Sequence, residues 1–227
     1  MKIKKILVIA PHADDEVLGC GGYLLHEQEK GSEICIIYGA VGGKMYGAVG
    51  GGKIAADQDF TRRYKEAESL NKALSTKNWY VMHKGLDAYL DTVPDVEIIT
   101  ALDVLIGTIR PDELFVNYAS HHQDHRKMYQ CAMASLRLRE GYSPALVALY
   151  EYPFIGGNHD VINGGRWYHD ITDVIDRKIE LFGLYGSQLK NPPSPLNETG
   201  IRSLAGMRGV ESGCQYAEMF YVQKMMR

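Results

Sequence analysis

The chain of 227 residues is poor in cysteine, and the four it has, Cys20, Cys35, Cys131 and Cys214, are scattered without a CxxC pair. That excludes a disulfide framework and a thiolate metal centre as organising features. A strong charge of either sign is also missing: 25 Lys and Arg against 28 Asp and Glu leave a formal net charge of −3, too little to attract nucleic acid or an anionic membrane. No apolar run is long enough to span a bilayer, and the opening MKIKKILVIAPHADDE reaches acids before any small-residue cleavage site. It reads as a first strand, not a signal peptide. With 45% apolar and 23% charged residues the composition is that of an ordinary globular protein. Composition thus points to no nucleic-acid partner and no membrane span, a reducing cytoplasm is the simplest compartment, and one domain over residues 1–227 is the working assumption.

Within that frame the chain alternates. Ile3 to Ala10 is a β-branched, apolar run ending at Pro11, the pattern of a strand buried on both faces of a parallel sheet. Val17 to Lys30 has helical apolar spacing and stops at Gly31, as a helix with a glycine cap does. A strand at Glu33–Tyr38 follows, then a helix near Asp59–Leu74, a strand near Trp79–His83, a helix near Val96–Ile109 and a strand at Glu113–Val116. This βαβ series predicts an α/β fold with a mostly parallel sheet, whose ligands sit beyond the carboxyl ends of the strands. Residues 39–52 are glycine-rich, with GAVGG at 39–43 repeated at 47–51, and read either as a surface connection or as a lid over a site. The run NPPSP at 191–195 ends any helix before it, and the tail Glu211–Lys224 is expected to return and pack on the domain.

Two motifs carry chemistry, and both follow a strand. In Pro11-His12-Ala13-Asp14-Asp15-Glu16, His12 and Asp15 are three apart across a strand-to-helix turn and can offer a nitrogen and an oxygen to one metal, with Asp14 aimed elsewhere. A helix cap accounts for one acid at such a place, not for three and a histidine. The second motif, His121-His122-Gln123-Asp124-His125, offers His121 with His125 or His122 with His125 on one helix face, and spacing does not choose between them. Two histidines and a carboxylate that leave a place for water form the donor set of a catalytic zinc site, not a closed structural one. An open site of this kind points to hydrolysis. Asp14 is then placed to accept a proton from water, a histidine to return one to the leaving nitrogen, and Asp124 to hold that histidine's other nitrogen.

These stretches resemble the LmbE/PIG-L family of N-acetylglucosaminyl deacetylases, with its PHxDDE and later HxDH. Further along, Arg63-Tyr64-Lys65-Glu66-Ala67 is similar to the family's RxxEA helix, and Gly85-Leu86-Asp87 to its loop aspartate. Lys178 with Tyr185-Gly186-Ser187-Gln188 is similar to its KxxxxxxYxSQ, and Arg202 to Phe220 to its R…RGxxxGxxYAExF. The resemblance implies a Rossmann-like three-layer sandwich and a zinc-dependent N-deacetylase, another divalent transition metal being an alternative. It implies His12, Asp15 and His125 as metal ligands, Asp14 as general base, His122 as general acid and oxyanion stabiliser, and Asp124 as the partner that orients His122. Arg63 and Asp87 are implied to bind the substrate, an N-acetylated amino sugar or its conjugate, and a homo-oligomer is compatible with the family. One departure stands out: some relatives have a tyrosine two residues before the first histidine of HxDH, where this chain has Ser120, its nearest tyrosine being Tyr118.

Two other readings compete. Gly19-Cys20-Gly21-Gly22 after the first strand suggests a nucleotide-binding module, but these glycines follow three acids that would repel a pyrophosphate. An amidase acting on a larger thiol or sugar conjugate would keep the fold and the metal and change only the substrate.

Overall fold

The computed structural model describes residues 2–43, 56–137, 141–153 and 165–226. Side-chain alternation in the first strand, β1 (Lys5–His12), sets the layering. Ile6, Val8 and Ala10 point into one apolar cluster and Leu7 and Ile9 into another, all without solvent exposure. A strand buried on both faces needs helices on both faces. On the first side lie α1 (Asp15–Glu29), α2 (Ala56–Ala73), α5 (Ile175–Gly183) and α6 (Glu198–Ser212). On the second lie α3 (Asp95–Ile109) and α4 (Gln123–Ser135), which contribute Ile98, Leu102 and Ile106 and Met128 and Ala132. The expected three-layer α/β sandwich is therefore present. Among the described residues no helix is long and apolar enough to cross a membrane, and the four cysteines are free thiols.

The remaining strands are β2 (Glu33–Gly43), β3 (Asn78–Asp87), β4 (Glu113–Asn117), β5 (Leu146–Tyr150), β6 (Gly165–Asp170) and β7 (Ala217–Met225). They form one sheet in the order β3-β2-β1-β4-β5-β7-β6. Neighbours from β3 to β5 run parallel, and β7 is antiparallel to both β5 and β6. The chain leaves β1 toward β2 on one side and later returns to fill β4 on the other. That reversal opens a crevice at the carboxyl ends of β1 and β4, where a ligand fits between diverging connections.

Several boundaries differ from the sequence pattern, each for a tertiary reason. β1 continues through Pro11 to His12, which pairs with Ala40. Proline is tolerated there because pairing with β4 has already ended at Ile9–Val116, so one side of the strand no longer needs an N–H. β2 runs to Gly43 instead of stopping at Tyr38, because β3 keeps pairing with it as far as Gly43–Asp87. Gly42 has a φ of +73°, and a Cβ there would lie 2.6 Å from Phe60 Cα on α2, so the position needs glycine twice over. The first copy of the glycine repeat is thus strand. Residues 44–55, and with them the lid expectation, lie outside the described residues. The tail does more than pack on the domain: it enters the sheet as β7 between β5 and β6.

Gly19-Cys20-Gly21-Gly22 falls inside α1 and not in a phosphate-binding loop. A Cβ on Gly19 would stand 2.1 Å from Cδ2 of Tyr150, and one on Gly22 2.4 Å from Cγ2 of Ile171. These glycines let the helix lie close against β5 and the segment after β6. Packing accounts for them without a nucleotide.

Candidate active site

The turn after β1 is built under strain. Asp14, the residue before α1, has φ 147° and ψ −28°, a region that costs a non-glycine residue about 1–3 kcal/mol. Three contacts hold it there. Its N–H donates to Glu16 Oε2 at 3.0 Å, its carbonyl accepts the Val17 and Leu18 amides, and the Arg63 guanidinium from α2 donates to the neighbouring Ala13 carbonyl. Glu16 in turn accepts the Tyr185 hydroxyl at 2.6 Å and the Tyr38 hydroxyl at 3.3 Å, with no solvent exposure. The third acid of the motif therefore ties the turn to β2 and to the segment after α5. Burial pushes its pKa up to about 7, against the pull of the Tyr185 hydroxyl.

The turn puts His12 and Asp15 against α4. Asp15 Oδ2 accepts the His12 N–H at 3.0 Å and lies 3.4 Å from His12 Nδ1 and 3.3 Å from His125 Nε2. His12, Asp15 and His125 each offer a donor atom, and these all lie within 4.8 Å of one another, with all three residues buried. The two stretches near residues 12 and 125 do converge. Of the two histidine pairings that spacing left open, the one with His122 is found at the cleft: His122 and His125 have ring centroids 5.2 Å apart, and both line the cleft with His12, whereas His121 does not.

Asp124 departs from its expected partner. Its carboxylate, with no solvent exposure, is 2.8 Å from His12 Nε2 and accepts the Ala88 and Leu90 amides at 2.7 and 2.9 Å. It does not reach the other nitrogen of His122. His122 is the residue before α4, and its Nδ1 accepts the Asp124 N–H at 3.2 Å as a helix cap. An imidazole that accepts at Nδ1 carries its proton at Nε2 when neutral. Burial, and then His12 and His125, push the His122 pKa down, so the neutral ring is the favoured form.

The donor set fits a divalent ion on three counts. First, the atoms are close enough to share one centre. Second, His125 turns its Nε2 to within 3.3 Å of Asp15 Oδ2, and its other nitrogen, Nδ1, is buried without a hydrogen-bond partner among the described residues, so nothing described there competes for the ring's orientation. Third, burial would lower the His12 pKa, yet Asp87, Asp124 and Asp15 overcome it and hold it well above the ordinary value. A pocket that favours positive charge at His12 favours a cation there as well. With Asp124 on Nε2, the Nδ1 atom is the one turned to Asp15, and a carboxylate behind a histidine is the usual support of a metal-binding imidazole. Burial would raise the Asp15 pKa, but His125 and His12 hold it well below the usual carboxylate range.

Around this centre lies a cleft of about 190 Å³ lined by His12, Asp14, Asp15, His122 and His125, and also by Arg63 and Asp87. Asp14 Oδ2 is 3.9 Å from the Arg63 guanidinium. Burial pushes the Asp14 pKa well up, with Arg63 pulling the other way. Arg63, expected to meet substrate, is in the lining, and its guanidinium also holds the framework: Nη2 donates to the Ala13 carbonyl, and Nη1 to Ser187 Oγ at 3.3 Å and to Glu66 at 3.5 Å. Asp87, at the end of β3, is at the mouth, its side chain 30% exposed and Oδ1 3.3 Å from His12 Nε2. Larger concavities lie elsewhere, such as that of about 630 Å³ along the exposed side of α3, but it gathers no histidine and one acid, Glu97.

Apart from Gln188, which lines the cleft, the later motifs serve as framework. Lys178 Nζ donates to Glu218 Oε1 at 2.6 Å and to the Leu18 carbonyl at 2.9 Å, and the Glu218 carboxylate accepts the Gly22 and Tyr23 amides. This buried pair anchors the middle of α1 to β7 and so fixes the helix that presents Asp15. Glu66 accepts both the amide and the hydroxyl of Ser187, joining α2 to the same segment.

Sequence reasoning missed Tyr152. Its ring centroid is 4.5 Å from that of His125, its hydroxyl is 3.3 Å from Ser120 Oγ, and it lines the cleft with Gln188 and Leu196. At Ser120, where the sequence resemblance leads one to look for a tyrosine, a tyrosine from beyond β5 reaches the serine hydroxyl. Tyr118, by contrast, packs in the core against Tyr221, with ring centroids 5.4 Å apart. The available signal was position: Tyr152 follows the apolar run Leu146–Tyr150, so it stands just past a strand end, as both motifs do.

A family model described as PIG-L: GlcNAc-PI de-N-acetylase matches residues 7–136. Among curated proteins the chain is similar to the diacetylchitobiose deacetylase of Thermococcus kodakarensis, 24% identical over 225 residues, covering 95% of this chain and 82% of that one. It is also similar to the Bacillus cereus protein named "Probable N-acetyl-alpha-D-glucosaminyl L-malate deacetylase 2", 23% identical over 194 residues, covering 82% and 84%. Among solved structures it is similar to the N,N'-diacetylchitobiose deacetylase from Pyrococcus horikoshii in complex with an inhibitor, with a TM-score of 0.78 and 24% identity over 97% of this chain and 84% of that one. At that identity the structural likeness speaks for the fold.

Proposed function

The chain belongs to the PIG-L family, and from that membership together with the site geometry we propose that it is a metal-dependent hydrolase that removes the acetyl group from an N-acetylglucosamine-type sugar or its conjugate. The observation that carries the reading is the His12–Asp15–His125 cluster, three donor atoms within 4.8 Å at the crevice between β1 and β4, with Asp14 and His122 beside it. His12, Asp15 and His125 would hold the ion, zinc being the expected one. When bound, such an ion supplies a Lewis acid that polarises an amide carbonyl and lowers the pKa of water to about 7.

The chain's own residues supply the proton transfers. Asp14, with its raised pKa, accepts a proton from the attacking water as the oxygen joins the acetyl carbon. His122, protonated at Nε2, donates a hydrogen bond to the oxygen or nitrogen of the amide as charge develops there. When the C–N bond breaks, the proton taken up at Asp14 goes to the leaving nitrogen, giving acetate and a free amine, so that one water is consumed. Because the neutral His122 ring is favoured, this departs from the expectation that His122 itself returns the proton as general acid. Arg63 restrains the Ala13–Asp14 turn and keeps the base aimed at the cleft.

Acetate release from a panel of N-acetylglucosamine derivatives, measured with added zinc and again after chelation, tests the reading. It predicts metal-dependent release from at least one member. Release unaffected by chelation, or none from any member by protein that holds its metal, would contradict it.

A further inference from the structure

The charge of the cleft bears on the choice among substrates. Three carboxylates line it, Asp14, Asp15 and Asp87, against one guanidinium, Arg63, and no lysine and no second arginine joins them among the described residues. A dication at the His12–Asp15–His125 cluster would bring the described lining to neutrality and no further. The guanidinium is not free to grip an anion. Arg63 is 2% exposed and its Nη atoms are committed to Ala13, Ser187 and Glu66, which leaves only a buried Nε without a hydrogen-bond partner among the described residues. A bidentate clamp on a carboxylate or phosphate needs two of those N–H groups turned outward. The mouth instead presents Asp87, a hydroxyl acceptor and a like charge to any anion. Among the described residues, the rest of the wall beyond the histidines is uncharged: the Tyr152 ring, Leu18, Leu196 and the Gln188 amide. Apolar walls with a carboxylate and an amide suit a sugar ring, whose C–H faces are apolar and whose hydroxyls need acceptors and donors.

Resting on the deacetylase reading above, we propose that the cleft selects an uncharged N-acetylated saccharide, with Tyr152 and Leu196 against its ring and Asp87 accepting its hydroxyls, and disfavours conjugates with a carboxylate or phosphate next to the reacting sugar. Asp87 is then the residue that sets specificity by charge.

The test compares zinc-loaded protein on N,N'-diacetylchitobiose, N-acetylglucosamine 1-phosphate and N-acetylglucosaminyl malate at low and high salt. The proposal predicts a kcat/KM at least tenfold higher for the neutral disaccharide at low salt. The gap shrinks at high salt, because salt screens the repulsion at the exposed mouth. Asp87→Asn, checked for its metal content, should narrow the ratio further. Calorimetric binding of the same three compounds to zinc-loaded His122→Gln protein, which lacks the Nε2–H donor but keeps the three carboxylates of the lining, reports the preference with turnover suppressed. Failure of every compound to release acetate would remove the deacetylase reading and leave the binding order to decide the charge preference. Equal or tighter binding or faster turnover of the anionic compounds overturns the proposal, and so does a ratio that Asp87→Asn does not move.

Discussion

Asp14 combines a strained backbone, a buried carboxylate and a raised pKa in one residue, and such strain persists where surrounding contacts over-determine it. Asn tolerates unusual φ values nearly as well as Asp, so Asp14→Asn keeps the turn while removing the proton acceptor. The expected outcome is unchanged metal content with acetate release reduced about 10²–10⁴-fold; loss of metal from this variant, scored by elemental analysis, would overturn the assignment. Asp124 leads elsewhere than its place in the motif suggests. Two residues from His122 in sequence, it supports His12 instead, 112 positions away. Asp124→Asn is therefore expected to weaken metal binding about 10–100-fold, the usual effect of losing a carboxylate behind a metal-binding histidine. Titration with a competing chelator reads this directly, and an unchanged affinity would return Asp124 to a role at His122. Residue identity and strand-end position made His12, Asp14, Asp15 and the 121–125 cluster legible. Which imidazole Asp124 meets was not, because that depends on how β1, the loop after β3 and α4 meet in space. Tyr152 carries no motif, and Arg63, though legible as part of one, gave no sign that its guanidinium also holds the framework through Ala13 and Ser187.

At the scale of elements, α1 matters most, because it begins at Asp15 and lies against β5 and the segment after β6. Gly19→Ala sets two effects against each other. Alanine favours a helix over glycine by about 1 kcal/mol. Overpacking a filled core costs about 1–3 kcal/mol, and the new Cβ would stand 2.1 Å from the ring of the fully buried Tyr150. At that distance the clash outweighs the propensity. A lower melting temperature is expected, and a variant more stable than the parent would show that the glycine is not there for close packing. The alternation from β1 to β4 was readable because those strands are apolar on both faces and the helices between them are long and periodic. The end of β2 was not, since glycines 39, 42 and 43 have no side-chain preference for a strand, and it is pairing with β3 that keeps them extended. The register of β7 was equally hidden: an antiparallel strand that is buried at Ala217–Phe220 and half-exposed beyond looks like a packed tail until β5 and β6 are seen on either side of it.

At the scale of the molecule, the sheet order places β1 beside β4 and leaves a crevice at their carboxyl ends, so that residues near 12 and near 125 meet although more than a hundred positions separate them. Because the cluster joins the first half of the fold to itself across that crevice, an ion bound there should stabilise the whole. At a free concentration 100-fold above its dissociation constant the gain is about 2.7 kcal/mol, which for a chain of this size raises the melting temperature by roughly 5–10 °C. No rise, or the same rise in a His12→Ala variant, would place the ion elsewhere. The most direct measurement is zinc stoichiometry by elemental analysis on the parent chain and on His12→Ala, Asp15→Ala and His125→Ala, each shown to be folded. One equivalent in the parent, and loss of it in all three variants, is the predicted result. A parent that binds none, or variants that keep a full equivalent, would contradict the claim that these three side chains share one ion.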